Sequence, residues 1–115
     1  MTELRKPAAL ITFKDLQGRE VRVPLFPPKM TVGKMTDNDL CLSRDPAVSR
    51  RHCEVRVQGS DLVLYDLGSS NGTYVNGQRL HPREIRILRN GDQLRLGKLV
   101  ILVSYHHPGE ELMLG

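Results

Sequence analysis

At 115 residues the chain can build one hydrophobic core and not two, so its features belong to a single domain. Apolar residues make up 39% and charged residues 26%; tryptophan is absent and aromatics reach only 4%, so the core has to be built from Val, Leu and Ile. A formal charge of +4 admits nucleic acid, acidic lipid or phosphorylated protein as partner without choosing among them, and the lack of any long apolar run excludes a helical membrane span. Met1 to Pro7 is polar and has no signal-peptide pattern, so a soluble, intracellular (cytoplasmic) protein is expected.

Short runs rich in β-branched and aliphatic residues recur about every ten residues, each bounded by Gly, Pro, Asn or Asp, the pattern of an antiparallel sandwich or barrel. In chain order the strands are expected at Ala9 to Lys14, Glu20 to Leu25, Met30 to Val32, Asp39 to Leu42, Cys53 to Val57 and Leu62 to Asp66. Thr73 to Val75, Gln78 to Leu80, Glu84 to Leu88, Gln93 to Leu96 and Leu99 to Ser104 follow, about eleven in all. Asp15-Leu16-Gln17-Gly18 reads as the first turn, Asn76-Gly77 as a type I′ hairpin turn, and Gly97-Lys98 as the turn of the last hairpin. Pro24, Pro27 and Pro28 are expected to end the second strand. Cys53, Val55, Val57 and Leu62, Leu64 alternate in a way that gives each strand one core face. The domain is expected over 9–105, with 1–8 as an N-terminal extension and 106–115 as a tail or linker.

Two polar segments interrupt this pattern, Ser49-Arg50-Arg51-His52 and Asp66-Leu67-Gly68-Ser69-Ser70-Asn71-Gly72-Thr73. Glycine and asparagine permit positive φ and let successive N–H groups point one way, while serine hydroxyls and arginines add donors; together they read as an anion cradle. Because loops of a sandwich gather at its two ends, Gly33 to Asn38, Ser43 to His52 and Leu67 to Gly72 are candidates for one rim.

The ordered set Gly33-Lys34, Asn38-Asp39, Val48-Ser49-Arg50-Arg51-His52, Asp66-Leu67, Ser70-Asn71-Gly72-Thr73-Tyr74-Val75-Asn76-Gly77 and Leu88-Arg89-Asn90-Gly91-Asp92 resembles the forkhead-associated (FHA) domain, from about Thr31 to Val103. The resemblance implies an all-β, eleven-stranded antiparallel sandwich that binds phosphothreonine peptides through loops at one end. It implies that Ser49 donates its hydroxyl to the phosphate, that Arg50 follows with its backbone N–H, that Ser70 also touches the phosphate, and that Asn71 bonds the peptide backbone. His52, Gly33 and Gly72 match residues that shape the loops. The implied partner is a phosphothreonine-bearing protein, a Ser/Thr kinase or its substrate.

One position departs from the family. Gly33 is followed by Lys34 where the family usually has arginine as a phosphate ligand; the charge stays, but the planar fork that grips two oxygens is lost. With Ser49, Ser70 and Asn71 in place, Lys34 is expected to act on the phosphate as a point charge.

Other readings are weaker. Gly33-Lys34-Met35-Thr36 fails as a P-loop, because Pro28 stands where the first glycine belongs and Met35 where Ser or Thr is needed. Ser49, His52 and Asp66 lack a Gly-x-Ser-x-Gly elbow, so no enzyme is expected. Cys41 and Cys53 have no zinc-like spacing; they read as small buried hydrophobes and not as a disulfide. His106-His107 are not expected to hold a metal, and no cofactor is called for. Arg44, Arg50 and Arg51 form a basic loop that would favour acidic residues beside the phosphothreonine. Two alternatives remain at this level: an FHA-like fold used as a phosphate-independent interaction subunit, and a small basic nucleic-acid binder. The second would need steeply salt-dependent binding, and few aromatics are present for base stacking.

Overall fold

A computed structural model of the protein describes residues 6–15 and 17–105; Leu16, His106-His107 and the rest of the tail lie outside the described residues. The described chain forms β1 (Ala9–Lys14), β2 (Glu20–Leu25), β3 (Lys29–Gly33), β4 (Leu40–Cys41), β5 (Cys53–Gln58), β6 (Asp61–Asp66), β7 (Thr73–Val75), β8 (Gln78–Arg79), β9 (Ile85–Leu88), β10 (Gln93–Leu96) and β11 (Leu99–Ser104). Five strands match their expected bounds to the residue, and the other six shift by a single residue at one or both ends.

Two sheets face each other, ordered β2-β1-β11-β10-β7-β8 and β4-β3-β5-β6-β9. The pairings are antiparallel, as expected, except that β3 and β4 run parallel, with Val32 opposite Leu40 and Gly33 opposite Cys41. The cause is the connection between them. Asn38 donates its backbone N–H to Met35 O (3.2 Å) and its side-chain Nδ2 to the same oxygen (2.8 Å). The chain is thereby coiled into a compact loop and re-enters the sheet in its original direction.

Between the sheets lies an aliphatic core that includes Ile11, Leu25, Leu62, Leu64, Leu88, Leu96, Ile101 and Val103. Burying each such side chain contributes about 1.5–3 kcal/mol, which offsets the ordering cost of a sandwich without tryptophan. The alternation in β10 and β11 is strict, but in β5 and β6 Glu54 and Val63 are buried on the outer face as well. Arg56 covers them there: it pairs with the Glu54 carboxylate and lies over the Tyr65 ring at 4.1 Å.

The turns carry the expected chemistry. Asn76 and Gly77 take φ of 49° and 85°, the pair of positive angles that a type I′ turn requires. Pro24 sits inside β2 opposite Leu10 and does not end the strand; β2 is a sheet edge, the position in a sheet that tolerates proline.

The cysteines separate in environment. Cys53 is fully buried, and that burial, followed by the Asp66 charge, pushes its thiol up to about 12. Cys41 is exposed, because the two-residue β4 lies at the sheet edge with that side chain turned outward. The two sit on opposite sides of β3, about two strand spacings or 9.5 Å apart, beyond the reach of a disulfide.

Candidate functional site

The β3–β4, β4–β5 and β6–β7 connections meet at one end of the sandwich, and the bonds that join them run between residues far apart in sequence. Lys34 N–H donates to Ser49 O (2.9 Å) and Met35 N–H to Arg50 O (3.2 Å), which staples the first loop to the second. Asn38 Nδ2 adds a third bond, to Arg50 O at 2.9 Å. Ser70 N–H donates to Ser49 Oγ (3.1 Å) and Asn71 Nδ2 to Ala47 O (2.9 Å), which staples the second to the third.

His52 is the pin beneath these loops. It is fully buried; Ser49 N–H donates to its Nδ1 (3.0 Å), so in the neutral ring Nε2 carries the proton and donates to Gly72 O (2.9 Å). One imidazole thus ties the loop bearing Ser49 to the loop bearing Asn71. With both nitrogens engaged by backbone groups, neither can take a proton from Ser49 Oγ, and the Ser-His-Asp reading has no geometric basis.

Asp66 organises the third loop. Its carboxylate accepts from Ser69 N–H (2.7 Å), Ser69 Oγ (2.7 Å) and Thr73 Oγ1 (3.1 Å), while Gly72 N–H donates to Ser69 Oγ (3.0 Å). Burial alone would push this carboxyl up, but the bonds from Ser69, Thr73 and Gly68 together hold it below the ordinary aspartate value. The loop's support is therefore fully present above the unfolded-state value, near 3.9, and is lost as pH falls through the lower folded value. In thermal melts from pH 7 down to pH 2, Asp66→Asn is expected to melt well below the wild type at neutral pH and to converge on it at the acid end. A constant difference across that range would show that Asp66 is not the titrating support.

These connections enclose an open cleft of about 610 Å³ lined by Lys34, Ala47, Ser49, Arg50, Ser70 and Asn71, together with Pro46, Val48, Arg51 and Gly68. All five residues expected to touch a phosphopeptide are in this lining. Gly33, His52 and Gly72 lie behind it, in the backbone that shapes it. Ser49 Oγ accepts from Ser70 N–H and keeps its own proton for a ligand in the cleft. Asn71 has spent its Nδ2 on Ala47 O, which leaves its Oδ1 as the group able to accept from an incoming backbone N–H.

The basic loop is less uniform than its sequence. Arg51 is paired with Asp37 at 2.6 Å, so its charge is committed within the protein, whereas Arg44 and Arg50 are exposed and form no ion pair among the described residues. Nothing in residue order marks Asn38, Ser69 or the Ala47 carbonyl for a role, yet each holds a wall of the cleft. The available signal was local, since a short amide or hydroxyl residue in a turn tends to bond its own backbone.

Residues 30–97 match the FHA domain family. The glycogen accumulation regulator GarA of Mycolicibacterium smegmatis is 38% identical over 91 residues, covering 79% of this chain and 55% of that protein. The oxoglutarate dehydrogenase inhibitor of Corynebacterium efficiens is 37% identical over 91 residues, covering 79% of this chain and 61% of its own length. The chain thus spans between half and two thirds of the length of these curated relatives. The crystal structure of the FhaA FHA domain complexed with the intracellular domain of Rv3910 superposes with a TM-score of 0.72 at 34% identity, over 84% of this chain and 99% of that one. An FHA domain solved in an analysis of phosphothreonine-dependent FHA domain interactions superposes equally well, at 0.72 and 33% identity, over 87% of this chain and 98% of that one. In strand order, loop placement and sequence alike, the chain is a member of the FHA domain family.

Proposed function

We propose that the cleft captures a phosphothreonine-bearing segment of a partner protein and that the domain acts as a non-catalytic, intracellular adaptor. The observation that carries this reading is the convergence of Lys34, Ser49, Arg50, Ser70 and Asn71, from three separate loops, on one open cleft. A phosphate near neutral pH bears about −1.5 to −2 charge on oxygens that need donors from several directions. The Lys34 ammonium, the Ser49 and Ser70 hydroxyls and the Arg50 donors answer that need without a metal, and Asn71 Oδ1 holds the backbone beside the phosphate. A Ser/Thr kinase supplies the modification; its substrate, or the kinase itself, is the partner. On this reading residues 9–105 are the binding domain, with 1–8 as an N-terminal extension and 106–115 as a tail or linker.

Lys34→Ala is expected to weaken a phosphothreonine peptide by roughly tenfold or more, the worth of one charge-assisted hydrogen bond, and Ser49→Ala by a similar factor. The test is calorimetric titration with a degenerate phosphothreonine peptide pool against its phosphoserine and unphosphorylated counterparts, repeated on Lys34→Ala, Lys34→Arg and Ser49→Ala. Unaltered affinity in Ser49→Ala would overturn the assigned pocket. Failure of the wild type with rescue by Lys34→Arg would mean that lysine cannot replace the family's arginine here.

A second reading has its own observation. Ile85 and Ile87 on the outer face of one sheet are 58% and 55% exposed, and Val100 and Leu102 on the other are 48% and 40% exposed. A sheet face could thus join a partner without phosphate, and equal binding of phosphorylated and unphosphorylated partner would favour that role. Nucleic-acid binding has less support: Arg19, Arg22, Arg51, Arg56 and Arg86 are each paired with a carboxylate of the chain, so these five charges are committed within the protein.

A further inference from the structure

A second concavity opens at the same end of the sandwich, about 570 Å³ in volume, between the β1–β2 turn, the start of the β4–β5 loop and the β10–β11 turn. Its floor is apolar: Phe13, Leu42 and Leu99 line it, half-buried, and pack against the core from outside. Its rim is cationic. Lys14, Arg44 and Lys98 are exposed and form no ion pair among the described residues. The two acids beside them are already engaged. Asp15 accepts from the N–H groups of Gln17 (2.9 Å) and Arg19 (2.8 Å) and faces the Arg19 side chain, and Asp45 accepts from the N–H groups of Ala47 (2.9 Å) and Lys98 (3.3 Å).

This concavity adjoins the phosphate cleft. Asp45 lines the one and Pro46, its neighbour in the chain, lines the other. The wall between them is braced from behind, since the Gly97 backbone lies so close to Ala47 that a Cβ at Gly97 would stand 2.8 Å from the Ala47 Cβ. An apolar floor under unpaired cations suits aliphatic side chains in an acidic stretch, and continuity with the phosphate cleft lets one chain reach both places.

We infer that this second cleft holds an acidic–aliphatic stretch of the same partner chain whose phosphothreonine occupies the first. The inference rests on the phosphothreonine reading and adds a second point of attachment to it. Two linked contacts raise affinity because the second forms within one complex, and seating a single aliphatic side chain corresponds to about tenfold.

The test uses the 115-residue chain and three phosphothreonine peptides: an alanine-flanked core, the core extended on either side by eight alternating Glu and Leu residues, and the core extended likewise by Lys and Ser. Eight extended residues reach about 27 Å, enough to cross from one cleft into the next. One Glu/Leu extension is expected to bind about tenfold tighter than the core. The gain should vanish in the Lys14→Glu/Lys98→Glu double variant, which should bind the core peptide as the wild type does. Cys41 supplies an independent readout, because it lines the cleft and is exposed while the other thiol, Cys53, is fully buried. Alkylation of Cys41 should slow with the Glu/Leu peptide and not with the core. Equal affinities for core and extended peptides, a gain that survives the double variant, or unprotected Cys41 would each overturn the inference while leaving the phosphothreonine reading intact. Equal binding of the unphosphorylated Glu/Leu peptide would also overturn it, and failure of the core peptide itself would remove both.

Discussion

Alanine at Gly33 is expected to cost the domain about 3 kcal/mol, at the upper end of what one added methyl group does to a packed site. A Cβ there would collide with the Arg50 carbonyl oxygen and stand 2.9 Å from the Arg50 carbonyl carbon and from Asn38 Nδ2. The obstacle is backbone, and it cannot turn aside, because Arg50 O accepts from both Met35 N–H and Asn38 Nδ2. Gly33 cannot move either, since its own carbonyl accepts from Leu42 N–H at 2.8 Å and its strand is registered against β4. Relief requires parting the β3–β4 loop from the β4–β5 loop, which also displaces Lys34 from Ser49. Urea unfolding should show a lower midpoint with an unchanged slope, and the melting temperature should fall by roughly 10 °C. A midpoint equal to the wild type's would show that the two loops are not in the contact described.

Removing the His52 imidazole should have the other large effect, about 3–5 kcal/mol in His52→Ala. The side chain is fully buried, so its loss leaves a cavity, and it leaves Ser49 N–H and Gly72 O without their partner. His52→Phe separates the two causes, because it fills most of the volume and restores neither bond. If the bonds dominate, the two variants unfold at similar urea concentrations; if the cavity dominates, phenylalanine recovers most of the loss. Peptide titration well below the melting point should show a smaller effect on affinity than Lys34→Ala, since His52 positions the loops from beneath and does not line the cleft. An affinity loss larger than that of Lys34→Ala would mean that loop position, not the donors, limits binding.

Where each strand lies was legible in residue order, because β propensity, period-two burial and turn residues are local properties. β1, β2, β7, β10 and β11 fall within their expected bounds, and Asn76-Gly77 makes the turn its residues require. The FHA motifs likewise placed the five cleft residues on three loops, and the structure brings those loops together. Other features depended on neighbours distant in the chain. Cys41 reads as a buried hydrophobe until β4 is seen to be a two-residue edge strand, and the parallel β3–β4 pair follows from how Asn38 coils the loop before it. Glu54 would be an ordinary outward residue were Arg56 not laid across it and Tyr65.

The sequence by itself determined the inventory of the candidate site: a lysine, serines, an asparagine and arginines, on loops that glycine and asparagine allow to turn. Tertiary structure alone decided which of those groups are already spent inside the protein. Arg51 is consumed by Asp37, fourteen residues away, Asn71 Nδ2 by Ala47 O, twenty-four away, and His52 by Ser49 and by Gly72, twenty away. The physical reason is that a donor's availability is a property of its neighbours in space. Until the three loops are packed on the sandwich, nothing in residue order distinguishes a hydrogen bond kept for the fold from one left for a ligand.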